Sequence, residues 1–315
     1  MCGGMEAKML TELLKIKYPL IQGGMAHIAT GKFAATISNA GALGIIAAGA
    51  MTPDQLEQEI IECRKHTNAP FGVNIMLLSP YTNELVDIIV KYKIPVVTTG
   101  AGNPGVYIDK LKVAGSLVIP VVPSVAFARR VEKAGADAII AEGTEAGGHI
   151  GELTTMALIP QIVEAVKVPV IAAGGIASGK QVVAAFALGA CGVQVGTCLL
   201  VSEECPIHQN YKDAVIKAKD TDTIVTGRIS GIPVRIFKNK LAKTYVALEK
   251  EGKTKEELEY FTLGALGKAV REGDIDEGSV MMGQVAGMLK EIRPAKEIIE
   301  ELFTSARLEL ERLKI

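Results

Sequence analysis

Eight short apolar runs, each closed by turn residues, constrain this chain more than any other feature. They lie at 19–24, 43–48, 70–77, 96–102, 118–124, 138–143, 169–175 and 192–197. None alternates polar with apolar residues, so each predicts a strand buried on both faces, as in a parallel sheet. Helical patterns separate the runs at 31–40, 53–66, 82–92, 105–114, 125–134, 155–166 and 178–188. In the fifth, Val125, Ala128 and Val131 share one stripe, Arg129, Arg130, Glu132 and Lys133 fall largely off it, and Gly135 ends the pattern. Eight β units with helices between them, repeating every roughly 20–30 residues, predict a TIM (β/α)8 barrel over a doubly wound sheet.

After Leu200 the pattern changes. Residues 203–280 show no convincing strand run and read as helical at 209–219, 239–251 and 254–272. The expected organisation is a barrel from 1–202 and 278–315, with a helical cap at 203–277 inserted after the eighth strand. The chain returns through 278–289 and closes on an amphipathic helix at 294–313.

Composition narrows the class. With 49% hydrophobic residues and a net charge of −1, a disordered chain is excluded and a whole-protein nucleic-acid binder is disfavoured. Thirty-three glycines with only 4% aromatic residues fit a buried sheet with many tight turns. No uninterrupted apolar run reaches the roughly 18 residues of a membrane span. The opening MCGGMEAKMLTELLKI lacks the pattern of a signal peptide. Cys2, Cys63, Cys191, Cys198 and Cys205 form neither a disulfide framework nor a zinc motif, so reduced thiols in a cytoplasmic protein, with no metal site, are expected.

Chemistry-bearing residues cluster at the strand ends. Gly174 and Gly175 end the seventh run, and Gly196 and Thr197 the eighth, the two barrel loops that commonly bind phosphate. Gly23, Gly24 and Met25 end the first, where missing side chains let a flat ligand lie against the backbone. Asn74, Glu142 and Gln194 are polar residues in or ending buried strands, where they need a partner, either internal or a ligand. Gly147 and Gly148 precede His149 after the sixth run and can aim it into the barrel mouth, where imidazole suits proton exchange. His27 in the first loop is the second candidate. The literal GxGxxG at 100–105 is rejected as a dinucleotide fingerprint, because Pro104 makes it a turn and no acidic residue follows about 20 positions on.

Together these segments resemble the nitronate monooxygenase (2-nitropropane dioxygenase-like) flavoprotein superfamily, and within it the enoyl-acyl-carrier-protein reductase II family. The resemblance runs over essentially the whole chain. Its more discriminating segments are 74–80, 97–104, 119–124 and 278–284. It implies FMN, a hydride from NADH or NADPH, reduction of trans-2-enoyl thioesters on acyl carrier protein, stimulation by a monovalent cation, and a homodimer. The alternative it leaves open is oxidation of alkyl nitronates with O₂. It places FMN against Gly23, Gly24, Met25, Asn74, Glu142, Gly147, Gly148, Gly174, Gly175, Gln194, Gly196, Thr197, Met282, Gly283 and Gln284, with His149 as the group for chemistry. Cys198 stands where the family often has Arg, so any contact made by that Arg is in doubt. The segment 228–243 carries Arg228, Arg235, Lys238, Lys240 and Lys243 with no acidic residue, and is either an ordinary ion-paired face or a landing patch for an acidic carrier or cofactor phosphates.

Overall fold

The computed structural model describes residues 2–313, with side chains from residue 8 onward. Its eight barrel strands are β1 (Leu20–Gln22), β2 (Gly44–Ala47), β3 (Phe71–Met76), β4 (Val96–Gly100), β5 (Leu117–Val122), β6 (Ile139–Glu142), β7 (Val170–Ala173) and β8 (Gly192–Val195). From β2 to β8 each strand pairs parallel with the next, and β8 pairs parallel with β1. A parallel bridge between Ile21 and Leu43, with Leu43 N–H donating to Leu20 O at 2.9 Å, joins the β1 side to the β2 side. The sequence is a TIM barrel.

The predicted helices form where expected, and their caps explain their starts. Thr52 accepts from Gln55 N–H, and Gln55 reaches back to Thr52 N–H, setting the Pro53–His66 helix. Ser124 accepts from Phe127 N–H at 3.3 Å and starts the Val125–Lys133 helix. The closing helix, Ala295–Leu313, packs against Gly179–Ala187 and Gly31–Asn39, and so takes the place of the eighth barrel helix.

One element was not anticipated. The Cys2–Leu14 helix sends Leu10 and Leu14 into the interior cluster of Ile21, Ile45, Val96, Ile119, Ile140 and Ile171. It plugs the end of the barrel remote from the strand C-termini. A Cβ on Gly192 would lie 2.2 Å from the Leu10 side chain, so the plug sits hard against β8.

The cap corrects the all-helical reading of 203–280. Thr223–Thr226 and Val234–Phe237 are antiparallel strands, and Gly148–His149 of the barrel adds a third edge to their sheet. Each strand is only four residues long, too short to show a period, and Gly231 and Pro233 interrupt the run between them. The expected helix at 254–272 is likewise broken. It stops at Thr262, turns at Gly264 (φ +75°), and resumes as short turns through Glu272. The cap has its own small core of Ile236, Leu241, Ala242 and Ala265.

Cys63, Cys191, Cys198 and Cys205 are all buried, while the side chain of Cys2 lies outside the described residues. No described helix is long and apolar enough to cross a membrane.

Candidate active site

A cavity of about 880 Å³ lies between the C-terminal ends of the barrel strands and the cap, a volume in the range of small-molecule sites. Parallel register builds its floor. Asn74 is level with Thr98 across β3 and β4, and Glu142 and Gln194 flank Ala173 from either side. Gly23, Gly24, Met25, Gly174, Gly175, Gly196 and Thr197 complete the floor, and Gly147, Gly148 and His149 stand at one side. The structure thus brings to one cavity thirteen of the sixteen residues that the resemblance places at the site. Met282, Gly283 and Gln284 do not line it. Gly283 N–H donates to Thr197 Oγ1 at 2.9 Å and Gln284 N–H to Glu145 O at 3.0 Å, so this segment braces the floor from behind.

The glycines divide by purpose. A Cβ at Gly24 would fall 2.5 Å from the Asn74 side chain, so Gly24 makes room for a protein group. Gly174 and Gly175 hold φ of +89° and +72°, a left-handed pair that turns successive N–H groups toward one side. At Gly196 a Cβ would meet only the Met25 side chain, its sulfur at 3.5 Å and its Cγ at 3.9 Å, so this position tolerates a side chain without a backbone clash.

The polar floor is only partly satisfied from within. Asn74 Nδ2 donates to Thr98 Oγ1 at 2.9 Å. The Glu142 carboxyl has no hydrogen-bond or ion-pair partner among the described residues, and burial pushes its pKa up to about 7. His149 is open to the cavity yet surrounded by protein, and this partial desolvation lowers its pKa. Its backbone is fixed by pairing with Val234. His27 does not line the cavity; it adopts φ +61°, and burial with the nearby Arg271 charge lowers its pKa. Cys198 is buried in the barrel core, with its thiol pushed up to about 12, so this position supplies no cationic group to the site.

The roof is apolar and comes from the cap. Val234, Ile236, Leu241, Tyr245, Leu266 and Met281 face the floor, and Lys255, Glu259 and Thr262 of one cap helix add a polar stretch. None of these was singled out in the sequence, because their side chains meet only through the cap's tertiary fold. The basic segment is also rearranged. Arg235 is buried, Arg228 pairs with Glu152, and Lys240 pairs with Glu277. Lys238 and Lys243 are the exposed cations of that segment with no ion pair among the described residues. No cluster of three or more His, Cys, Asp or Glu gathers to hold a metal among the described residues.

Known proteins match along nearly the full length. FabK from Thermotoga maritima superposes at a TM-score of 0.95 with 48% identity, covering 97% of this chain and 98% of its own. A nitroalkane oxidase from Streptomyces ansochromogenes superposes at 0.85 with 29% identity, covering 97% and 99%. A Staphylococcus saprophyticus protein named "Probable nitronate monooxygenase" is 38% identical, over 73% of this chain and 78% of that protein. The family model described as nitronate monooxygenase matches residues 7–86 and 80–305. With fold, strand-end site and family match in agreement, the chain belongs to the nitronate monooxygenase family of oxidoreductase enzymes.

Proposed function

We propose that this protein is an FMN-dependent enoyl-acyl-carrier-protein reductase that draws on NADH or NADPH and serves fatty-acid synthesis. The observation that carries this reading is the likeness to FabK at 48% identity through barrel and cap alike, against 29% to the nitroalkane oxidase. The apolar roof supports it, because a hydrocarbon chain needs such a wall and a small anion does not.

The floor suits FMN. The left-handed Gly174–Gly175 turn and the side-chain-free Gly196, both lining the cavity, suit close approach of a phosphate to the backbone. Thr197 Oγ1 accepts from Gly283 N–H, which leaves its own proton free to donate. The unpartnered Glu142 carboxyl and the nearly buried Gln194 offer hydrogen bonds to a polar ring edge. FMN held by these residues would supply the hydride chemistry between nicotinamide and enoyl thioester. His149 stands at the side of the cavity, where it holds or delivers the proton that completes the α-carbon. The roof orients the acyl chain, and the cap excludes water. A carrier protein delivers the thioester from outside.

The second reading is nitronate oxidation with O₂, favoured by the family model and by the staphylococcal relative. His149 would then act as base or anion partner. One comparison separates the two. Anaerobic NAD(P)H oxidation should respond to crotonyl-CoA, while oxygen uptake with an alkyl nitronate should be slight. The reverse pattern would overturn the reductase assignment.

A further inference from the structure

Arg235 is a buried cation with no carboxylate within ion-pair distance among the described residues. It is 6% exposed, and burial lowers its pKa. A buried charge costs stability unless it is paired or hydrogen-bonded, and here the hydrogen bonds, with the nearby Glu145 charge opposing the shift, hold the guanidinium in one place. All three of its contacts go to neutral oxygens. Nε and Nη2 donate to Thr144 O at 3.1 and 3.0 Å, and Nη1 donates to Thr223 Oγ1 at 3.1 Å. The backbone of the same residue is level with Gly148 in the cap sheet, and the preceding Val234 is level with His149. One residue therefore grips the loop after β6 at both ends, by side chain at Thr144 and by strand at Gly148.

What lies between is already tight. A Cβ on Gly147 would fall 2.7 Å from Met282, so the turn is wedged against the return segment. The Glu145 carboxylate accepts from Thr155 N–H and Oγ1 at 3.0 Å, which ties the turn's outer side to the barrel. Gln284 N–H also donates to Glu145 O at 3.0 Å, so between Thr144 and Gly148 the turn is held on the barrel and return-segment sides, and Arg235 holds it from the cap. The forked Arg235 contact to the single Thr144 carbonyl is the side-chain link from the cap sheet to the start of this turn.

We propose that Arg235 is a positioning residue that sets the reach of His149 into the cavity, so that the cap controls the proton-transfer step through one guanidinium. This rests on the reading of His149 as the proton-handling group. Arg235→Ala should lower kcat for enoyl reduction by about 10- to 100-fold, the usual cost of a displacement near 1 Å at a reacting group. KM for NAD(P)H, flavin content and the rate of flavin reduction by NAD(P)H should stay within about twofold, because those steps do not use His149. Arg235→Lys, which keeps the charge and one bond to Thr144 O, should recover part of the loss and guards against an Ala variant that fails to fold.

The deciding measurement is the double variant with His149→Ala. If Arg235 acts through His149, adding Arg235→Ala to His149→Ala should lower kcat no further. Additive losses, or equal losses in both half-reactions, would show a general structural role and overturn the proposal. So would full turnover in Arg235→Ala while His149→Ala is impaired. Full turnover in His149→Ala would instead overturn the reading of His149 itself.

Discussion

Two titratable residues in the cavity have their charge opposed by burial, and both consequences are measurable. His149 has its pKa lowered from 6.5. Its imidazolium is then a minor form at neutral pH, and it grows as pH falls. If that form supplies the proton, the enoyl-reducing half-reaction should accelerate from about pH 8 to about pH 6. His149→Ala should abolish the slope and slow turnover by about 10²-fold, a common scale for general acid catalysis, with FMN content unchanged. A slope that persists in His149→Ala but vanishes in Glu142→Gln would move the proton to Glu142, the other group of this cavity titrating in that range. Glu142 itself carries a stability signature. Its folded pKa, about 7, stands above the ordinary carboxylate value of 4.5, so the folded state holds the extra proton between those values. The apo-protein should therefore lose stability as pH rises through that window and level off above it. Glu142→Gln removes the titration, so thermal unfolding of the apo-variant should be flatter with pH and higher than the parent at about pH 8. A parent curve flat across the window would mean that this carboxyl is solvated.

At the scale of elements, the barrel was legible because parallel strands buried on both faces read as apolar runs and their helices carry clear caps. All eight strands and seven intervening helices fall within their predicted spans to a few residues. The strand-end glycines were legible for the same reason, since a barrel delivers every strand C-terminus to one face. The cap strands were not. TIVT and VRIF each cover four residues, and what makes them strands is the edge offered by Gly148–His149, which no local pattern reports. The plugging helix was missed because its apolar residues, Leu10 and Leu14, look like any helical pair until the barrel interior is present to receive them. That placement predicts a separation of stability from activity. Leu10→Ala should cost about 2–5 kcal/mol by denaturant unfolding, as for other large-to-small changes in a closed core. Its kcat per folded molecule should be unchanged, because the plug is at the end opposite the site; a large fall in kcat would mean that strand ends shift with it. The site loops predict a second separation. Gly196→Val meets only the flexible Met25 side chain and should give folded protein depleted of flavin. Gly174→Val meets Gly143 O at 2.7 Å in a left-handed conformation and should lose folded protein as well. Full flavin occupancy in Gly196→Val would exclude this loop from phosphate binding.

At the scale of the whole molecule, neither the barrel nor the cap makes the site alone. The barrel supplies a polar, glycine-rich floor, the cap an apolar roof, and the cap sheet takes its third edge from the loop that carries His149. On the proposed reading as an enoyl reductase, the cap would set specificity for the acyl chain and the barrel side would set the chemistry. Leu266 tests this division. It is half-buried, lines the cavity, and lies on the short turn Ala265–Gly267, away from the strand-end residues. Leu266→Trp adds bulk to the roof without touching the floor. A short enoyl chain such as crotonyl should leave the added ring unopposed, whereas a chain of about ten carbons should meet it. Filling an apolar wall typically separates substrates differing by a methylene by about 1–3 kcal/mol. The ratio of kcat/KM between decenoyl and crotonyl thioesters should therefore fall by at least tenfold. Flavin reduction by NAD(P)H, which needs no acyl chain, should hold its rate. An unchanged ratio would place the chain elsewhere in the cavity. Equal losses on both chain lengths would mean that the thioester itself, common to both substrates, lies beneath Leu266.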